Sequence, residues 1–286
     1  MSTPPIVLGA VAYDPKVVTI WDGFLAWLGR RGLAFDYVLY SNYEHQVEAH
    51  LRGEVDVAWN SPLAWIETCR VARARGRRAE AIAMRDTDQD LTSVVLVRAD
   101  AGPGLASLAD LRGKRVAVGA ADSPQATLIP LEVLAAAGVA PHRDCEVIRH
   151  DLLLGKHGDH IGGEREAVRA LLAGAVDAAC VIDGNHAAFT REGTIPPGAV
   201  RVLAQTPAYD HCNLTVLDGG RDPAALARLR ELLLGMRYDD PEVRPLLDLE
   251  GLTRWEPGRT SGYALLERAV DRLGTLGPWL ARQGVA

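Results

Sequence analysis

One short phrase occurs twice in this chain of 286 residues and restricts its fold more than any other feature. Residues 51–58 read Leu-Arg-Gly-Glu-Val-Asp-Val-Ala, and residues 172–179 read Leu-Ala-Gly-Ala-Val-Asp-Ala-Ala. Each copy follows an amphipathic helical pattern, Tyr43–Leu51 in one case and Glu164–Leu172 in the other. Each runs into a short apolar strand and then a turn: Trp59-Asn60-Ser61-Pro62 first, Val181-Ile182-Asp183-Gly184-Asn185 second. A helix, a glycine at its end, a buried strand and a new helix start make one α/β unit. Two copies about half a chain apart predict two similarly built lobes. Open α/β sheets bind ligands at the carboxyl ends of their strands, so the turns after the two strands are expected to face one cleft.

The rest of the chain fits that plan. The continuous apolar run at 6–11 predicts a buried strand, and further strands are expected at 35–40, 55–59 and 79–84, with helices between them. Residues 91–97 are strongly β-forming, and the Gly, Asp and Pro of 98–104 read as a crossing between lobes. Further strands are expected at 115–119, 145–149, 176–182, 200–204 and 214–217, with a return crossing over 206–213. Helices over 223–236, 241–249 and 261–276 close the chain. The predicted division is therefore 1–97 with 206–286 as one discontinuous lobe, and 98–205 as the other. Two crossing strands form a natural hinge for closure on a ligand.

Composition narrows the functional classes. A formal charge of −6 argues against nucleic acid as a partner. The one basic concentration, Arg70 to Arg78, reads as a solvated helix end with cations at its negative pole. No apolar run approaches the roughly 20 residues that span a bilayer, so no transmembrane segment is expected. No basic region followed by an apolar core and a cleavage site is legible at the start. The expected location is cytoplasmic for the sequence as it stands, or periplasmic if a leader has been removed. The four cysteines, Cys69, Cys145, Cys180 and Cys212, are widely spaced and give no disulfide framework.

Several strings in this order resemble the type II periplasmic-binding-protein fold. They are Tyr43 with the first repeated phrase and Ser61-Pro62-Leu63-Ala64, then Ser107-Leu108-Ala109-Asp110-Leu111-Arg112-Gly113-Lys114-Arg115-Val116-Ala117, and the second repeated strand ending in Asp183. Within that fold the chain is similar to the phosphate, phosphite and phosphonate branch of ABC-transporter solute receptors, over about residues 7–217. The resemblance implies an α/β chain of two lobes, each a mixed sheet flanked by helices, joined by a two-strand hinge. It implies a small polar or anionic ligand, an ABC permease as partner and no cofactor. In phosphonate binders the corresponding lobe-two helix opens with a run of Ser and Thr. Here the run is Ser123-Pro124-Gln125-Ala126-Thr127, and Gly163-Glu164 stands where the family tends to carry Ser-His. A carboxylate facing a dianion is repulsive, so an anion site here is expected to rest on the helix start and its amides.

Candidate ligand contacts follow from position and chemistry. Tyr13 and Tyr43 sit at strand-to-helix turns, where tyrosine offers a packing wall and a hydroxyl, or is simply a half-buried ring. Asn60 and Ser61 offer an amide and a hydroxyl; helix capping would look the same. Ser123, Gln125 and Thr127 form the lobe-two donor set. Asp183 is a candidate acceptor or a plain cap, with Gly184 permitting close approach. His157, His160 and His186 are candidate donors to an anion. His157 and His160, with Asp151 or Glu164, also offer imidazole and carboxylate to a metal, but the spacing matches no established pattern and no metal is expected. Asp210 and His211 lie in the return crossing and are candidate contacts. Cys212 beside His211 suggests a nucleophile pair, but neighbours on an extended segment point to opposite faces, so the two are not expected to share a proton. No catalytic residue is assigned.

The first reading is a solute-binding protein whose ligand is phosphonate-like, phosphate-like or related. The second is a cytoplasmic enzyme on the same scaffold, of the menaquinone-lyase or thiamine-pyrimidine kind, metal-dependent through the loop histidines. Against it, no acid/base pair is evident and the cysteine-rich signature of the pyrimidine synthases is absent. A sensor domain reporting ligand occupancy is a third.

Overall fold

The computed structural model describes residues 4–102, 104–158, 161–220 and 222–285. The chain divides into two units. One comprises the residues up to Gln89, Asp210–Tyr263 and the residues from Leu276 on; the other comprises Asp90–Tyr209 and Ala264–Thr275.

The first unit begins β1 (Ile6–Val11), α1 (Lys16–Arg30), β2 (Phe35–Tyr40), α2 (Tyr43–Leu51), β3 (Val57–Asn60), α3 (Pro62–Ala74) and β4 (Ala79–Arg85). The second unit runs β5 (Ser93–Arg98), β6 (Arg115–Val118), α4 (Ile129–Ala136), β7 (Glu146–Arg149), α5 (Glu164–Leu172), β8 (Ala178–Ile182), α6 (Asp183–Arg191) and β9 (Val200–Gln205). The chain then adds β10 (Asn213–Leu217), α7 (Pro223–Leu234), α8 (Arg244–Glu250) and β11 (Trp255–Pro257) to the first unit, α9 (Ala264–Leu273) to the second, and α10 (Gly277–Arg282) to the first.

Both sheets are mixed, and both follow one plan. In the first, of order β11-β4-β10-β3-β1-β2, the strands β2, β1 and β3 are parallel and β10 enters antiparallel between β3 and β4. In the second, of order β7-β6-β8-β5-β9, the strands β7, β6 and β8 are parallel and β5 enters antiparallel between β8 and β9. The repeated phrase thus supplies the same central strand twice, β3 and β8. Both are buried, as strands covered by helices on two faces must be. The first core gathers Leu8, Trp21, Phe24, Trp59, Leu214 and Trp255. In the second unit, apolar clusters lie on both faces of the sheet, around Val116 and Leu131 on one side and Val168 and Val181 on the other.

The structure differs from the sequence reading at three places. The β-forming run at 91–97, read as the end of the first lobe, is β5, and it pairs only in the second sheet. The chain therefore leaves the first unit at Gln89 rather than near residue 97, and α9 belongs with the second unit. The last of the predicted helical stretches also ends early: α9 stops at Leu273, and a further helix, α10, starts beyond the predicted range at Gly277. The helix predicted from residue 122 opens as a π-helical turn, Pro124–Leu128, before α4. Leu128 N–H donates to the Ser123 carbonyl five residues back, at 2.9 Å. Pro130 has no N–H to give, so the regular ladder cannot be completed through this turn.

Candidate functional site

In the first unit the carboxyl end of β3 is a closed hydrogen-bond junction. Asn60 is fully buried. Its amide nitrogen donates to Thr215 Oγ1 at 2.8 Å and Thr68 Oγ1 at 3.3 Å, and its oxygen accepts from Gln46 Nε2 at 2.9 Å. The amide that sequence reasoning offered to a ligand is thus committed to α2, α3 and β10. Gln46, which that reasoning missed, also reaches the Trp59 carbonyl at 3.0 Å. Ser61 caps α3 by accepting from Ala64 N–H at 3.1 Å, with Pro62 at the first helical position. Tyr43, the first residue of α2, is buried, and Tyr13 is half-buried against the first core.

The return segment is built differently from its expected form. Asp210 is buried and held by Arg259 through Nε–Oδ2 and Nη2–Oδ1 contacts of 2.8 and 2.5 Å. Gly262 lies flush against it: a Cβ there would come within 2.1 Å of the Asp210 carboxyl carbon. His211 Nδ1 lies 3.1 Å from Cys212 Sγ and 3.5 Å from Asp88 Oδ1. The expectation that His211 and Cys212 face apart is therefore wrong. Regular strand geometry begins only at Asn213, and alternation does not hold before it. Burial alone would raise the Asp88 carboxyl, but the charge and hydrogen bonds of Arg85 hold it at about 2. The ligating atoms of Asp88, His211 and Cys212 lie within 4.8 Å of one another, yet both Asp88 oxygens already take hydrogen bonds from the Arg85 guanidinium. A cation there would meet that charge.

In the second unit, Ser123, Gln125 and Thr127 do come together, on the π-helical turn after β6. Ser123 Oγ accepts from Ala126 N–H at 3.2 Å and keeps its own proton to donate. Thr127 Oγ1 donates to the Ala120 carbonyl at 2.7 Å. Gln125 Nε2 donates to the Gly158 carbonyl at 2.6 Å, and its own carbonyl accepts from Ser93 Oγ, also at 2.6 Å. The loop after β7 lies directly on this turn. A Cβ at Gly158 would fall 2.2 Å from Ser123 Oγ, so only glycine allows that approach. Asp122 Oδ2 accepts from Gly155 N–H at 2.6 Å and His157 N–H at 3.4 Å. His157 is buried, with a positive φ of 51°, while Leu152, Leu153 and Leu154 are exposed. His160 and Asp159 lie outside the described residues.

Glu164, set aside as repulsive on sequence grounds, is the most heavily buried acid of this unit. Its exposure is 0%. Oε2 accepts from Ile182 N–H at 2.9 Å and Asn185 Nδ2 at 3.0 Å, tying α5 to the end of β8 and the start of α6. Desolvation pushes its pKa up to about 8, against the opposing hydrogen bonds of Asn185, Ile182 and Gln125. At neutral pH this carboxyl is mostly protonated and can itself donate. Asp183 is exposed and is the first residue of α6 rather than its cap, which is Ile182; its N–H donates to the Thr92 carbonyl at 3.0 Å. His186 is half-buried on the same helix. Gln46 and Arg259 were not legible as participants, because each partner lies on another element and no motif links them, and Glu164 was legible only as a charge.

A family model described as "ABC transporter, phosphonate, periplasmic substrate-binding protein" matches residues 9–263. Among solved structures, the chain is similar to PhnD1 from Prochlorococcus marinus in complex with methylphosphonate, at 17% identity and a TM-score of 0.67, covering 94% of this chain and 98% of that one. It is similar to a Xanthomonas citri protein bound to ATP, at 19% identity and a TM-score of 0.71, covering 96% and 99%. It is also similar to a binding-protein component of an ABC phosphonate transporter from Pseudomonas aeruginosa, at 16% identity and a TM-score of 0.61, covering 99% and 97%.

Proposed function

The chain belongs to the periplasmic substrate-binding proteins of phosphonate ABC transporters, and from that premise we propose that its ligand is a small oxyanion of the phosphonate or phosphate kind, delivered to a cognate permease. The family match over residues 9–263 carries the reading. The enzyme alternative is not favoured by it. Among the described residues no helix is long and apolar enough to cross a membrane, which suits a binding component that works beside a separate permease.

The recognition we propose rests on the serine-capped start of the second unit, which has a counterpart in the first. Ser61 opens α3 in the first unit, and Ser123 opens the turn into α4 in the second. Helix starts present N–H groups and a positive dipole end to an anion. Ser123 retains a hydroxyl proton to donate, and Tyr13, Tyr43, Asp183, His157, His160 and His186 are the further candidate contacts. Asn60, Gln125 and Thr127 contribute by holding the backbone in place, since their side chains already serve internal partners. Glu164 does not oppose an anion at neutral pH, because burial keeps its proton on. The molecules bound to two similar proteins, methylphosphonate in one and ATP in the other, share phosphoryl oxygens as the feature to be recognised.

A thermal-shift panel of methylphosphonate, phosphate, phosphite, alkanesulfonates and carboxylates tests this. A phosphoryl compound should raise Tm more than the carboxylates do, and Ser123→Ala should weaken its binding by about tenfold, or 1.4 kcal/mol. A panel in which no oxyanion shifts Tm would overturn the reading.

A further inference from the structure

The function above leaves one feature of the first unit unused. Beside the basic stretch that ends at Arg78, a hollow of about 310 Å³ opens between the start of β4, the end of β10 and the first turns of α7. Ile82, Val216 and Leu226 form part of its apolar lining, and Arg78 and Arg230 stand on it as well. A second hollow, of about 220 Å³, shares Arg78, Glu80 and Arg230 with the first. The volume falls at the lower end of the range typical of small-molecule sites, and an apolar floor with few converging polar groups is their usual make-up.

Local sequence explains the opening. β10 ends at Leu217 and is followed by Asp218, Gly219 and Gly220, and neither glycine puts a side chain into the hollow that it lines. Gly219 has φ +73°, and a Cβ on Gly220 would already lie 3.2 Å from Leu226 Cδ1. The cations differ from their neighbours. Arg77 donates to the Asp218 carbonyl at 2.7 Å and faces its carboxylate at 3.6 Å. Arg228 pairs with Glu231 at 2.8 Å. Arg78 and Arg230 are exposed, and among the described residues neither guanidinium has a hydrogen bond or an ion pair. On a chain of net charge −6, two uncompensated guanidiniums beside an apolar floor are a local excess that has to be solvated or matched. Asp218 on the same lining is matched by Arg77, and Glu80 then leaves a net single positive charge among the described residues, which suits a monoanion better than a dianion.

We propose that this groove is a second binding site, for an amphiphilic monoanion whose acidic head sits between Arg78 and Arg230 and whose alkyl chain lies on Ile82, Val216 and Leu226. A guanidinium pair matches the planar fork of a carboxylate. Burial of the chain supplies the remainder at roughly 0.8 kcal/mol per methylene. The site is separate from the oxyanion site of the proposed function and does not depend on it.

Octanoate is the probe, titrated calorimetrically into the intact protein, with octanol as the uncharged control. Octanoate should bind one site per chain and octanol at least about tenfold more weakly. Arg78→Gln with Arg230→Gln should weaken octanoate by about tenfold or more. Both side chains are exposed and unbonded, so the variant should keep the wild-type Tm. Ala227→Trp, which fills the hollow from α7, should abolish octanoate binding while leaving any methylphosphonate response intact. Octanoate binding that survives both variants, equal binding of octanol, or binding of anionic phosphatidylglycerol vesicles without any of free octanoate would each overturn the proposal.

Discussion

Glu164 shows how much the meaning of a residue depends on its surroundings. Read as a charge it opposes an anion; buried at 0% exposure with its pKa pushed up to about 8, it is a neutral donor and acceptor. The sign of its pH linkage follows. The folded state holds the proton more tightly than the unfolded chain, whose carboxyl titrates near 4.5. Its contribution to stability is therefore fully present below that value and is lost as pH rises through about 8. The slope in that window reaches roughly 1.4 kcal/mol per pH unit. Glu164→Gln keeps the shape and removes the titration, so denaturant unfolding of the variant should show a flatter pH profile between those limits. An unchanged slope would mean that Glu164 is ionised in the folded protein. Asp88 acts in the opposite sense: Arg85 holds it at about 2, and its stabilisation is lost only as pH falls below the usual carboxylate range. At this scale the sequence singled out Asn60 and Asp210 but not their partners, whereas the caps made by Ser61 and Ser123 reach only three residues on. Asn60 sits 155 residues from Thr215, and Asp210 sits 49 from Arg259; nothing local to either position signals the other.

Elements were easier to read than their pairing. Periodicity and caps found the strands and helices around both repeated phrases, because burial and capping leave local traces. The sheet to which a strand belongs leaves none. The run at 91–97 has the same β-branched composition whichever sheet it joins, and only pairing with β8 and β9 decides it. The three residues of β11 are too few to show alternation, and one of them is a proline. Glycines separate close packing from open space at this scale. Gly262→Ala would drive a Cβ within 2.1 Å of the Asp210 carboxyl carbon, where Arg259 holds that side chain in place. Its cost should be roughly 1–3 kcal/mol in denaturant unfolding. Gly184, within α6, has nothing within 4 Å of the same added atom, so Gly184→Ala should stabilise by up to about 1 kcal/mol. Equal effects of the two substitutions would contradict the packing described around Asp210.

Both units repeat one construction: three parallel strands, an antiparallel strand beside the strand of the repeated phrase, and beyond it one further strand in the second sheet and two in the first. The doubled phrase announced that construction, since its two copies became the corresponding central strands β3 and β8. The same plan, with the match over residues 9–263, puts the chain among periplasmic substrate-binding proteins. On the proposed function, the choice of oxyanion rests with a few donors set by distant partners, and those leave little mark on local sequence. Native mass spectrometry of the protein titrated with methylphosphonate and with phosphate tests the central claim most directly. The account predicts one specifically bound oxyanion per chain, weakened about tenfold in Ser123→Ala. A wild-type protein that retains neither anion, or a Ser123→Ala variant that retains it as well as the wild type, would contradict it.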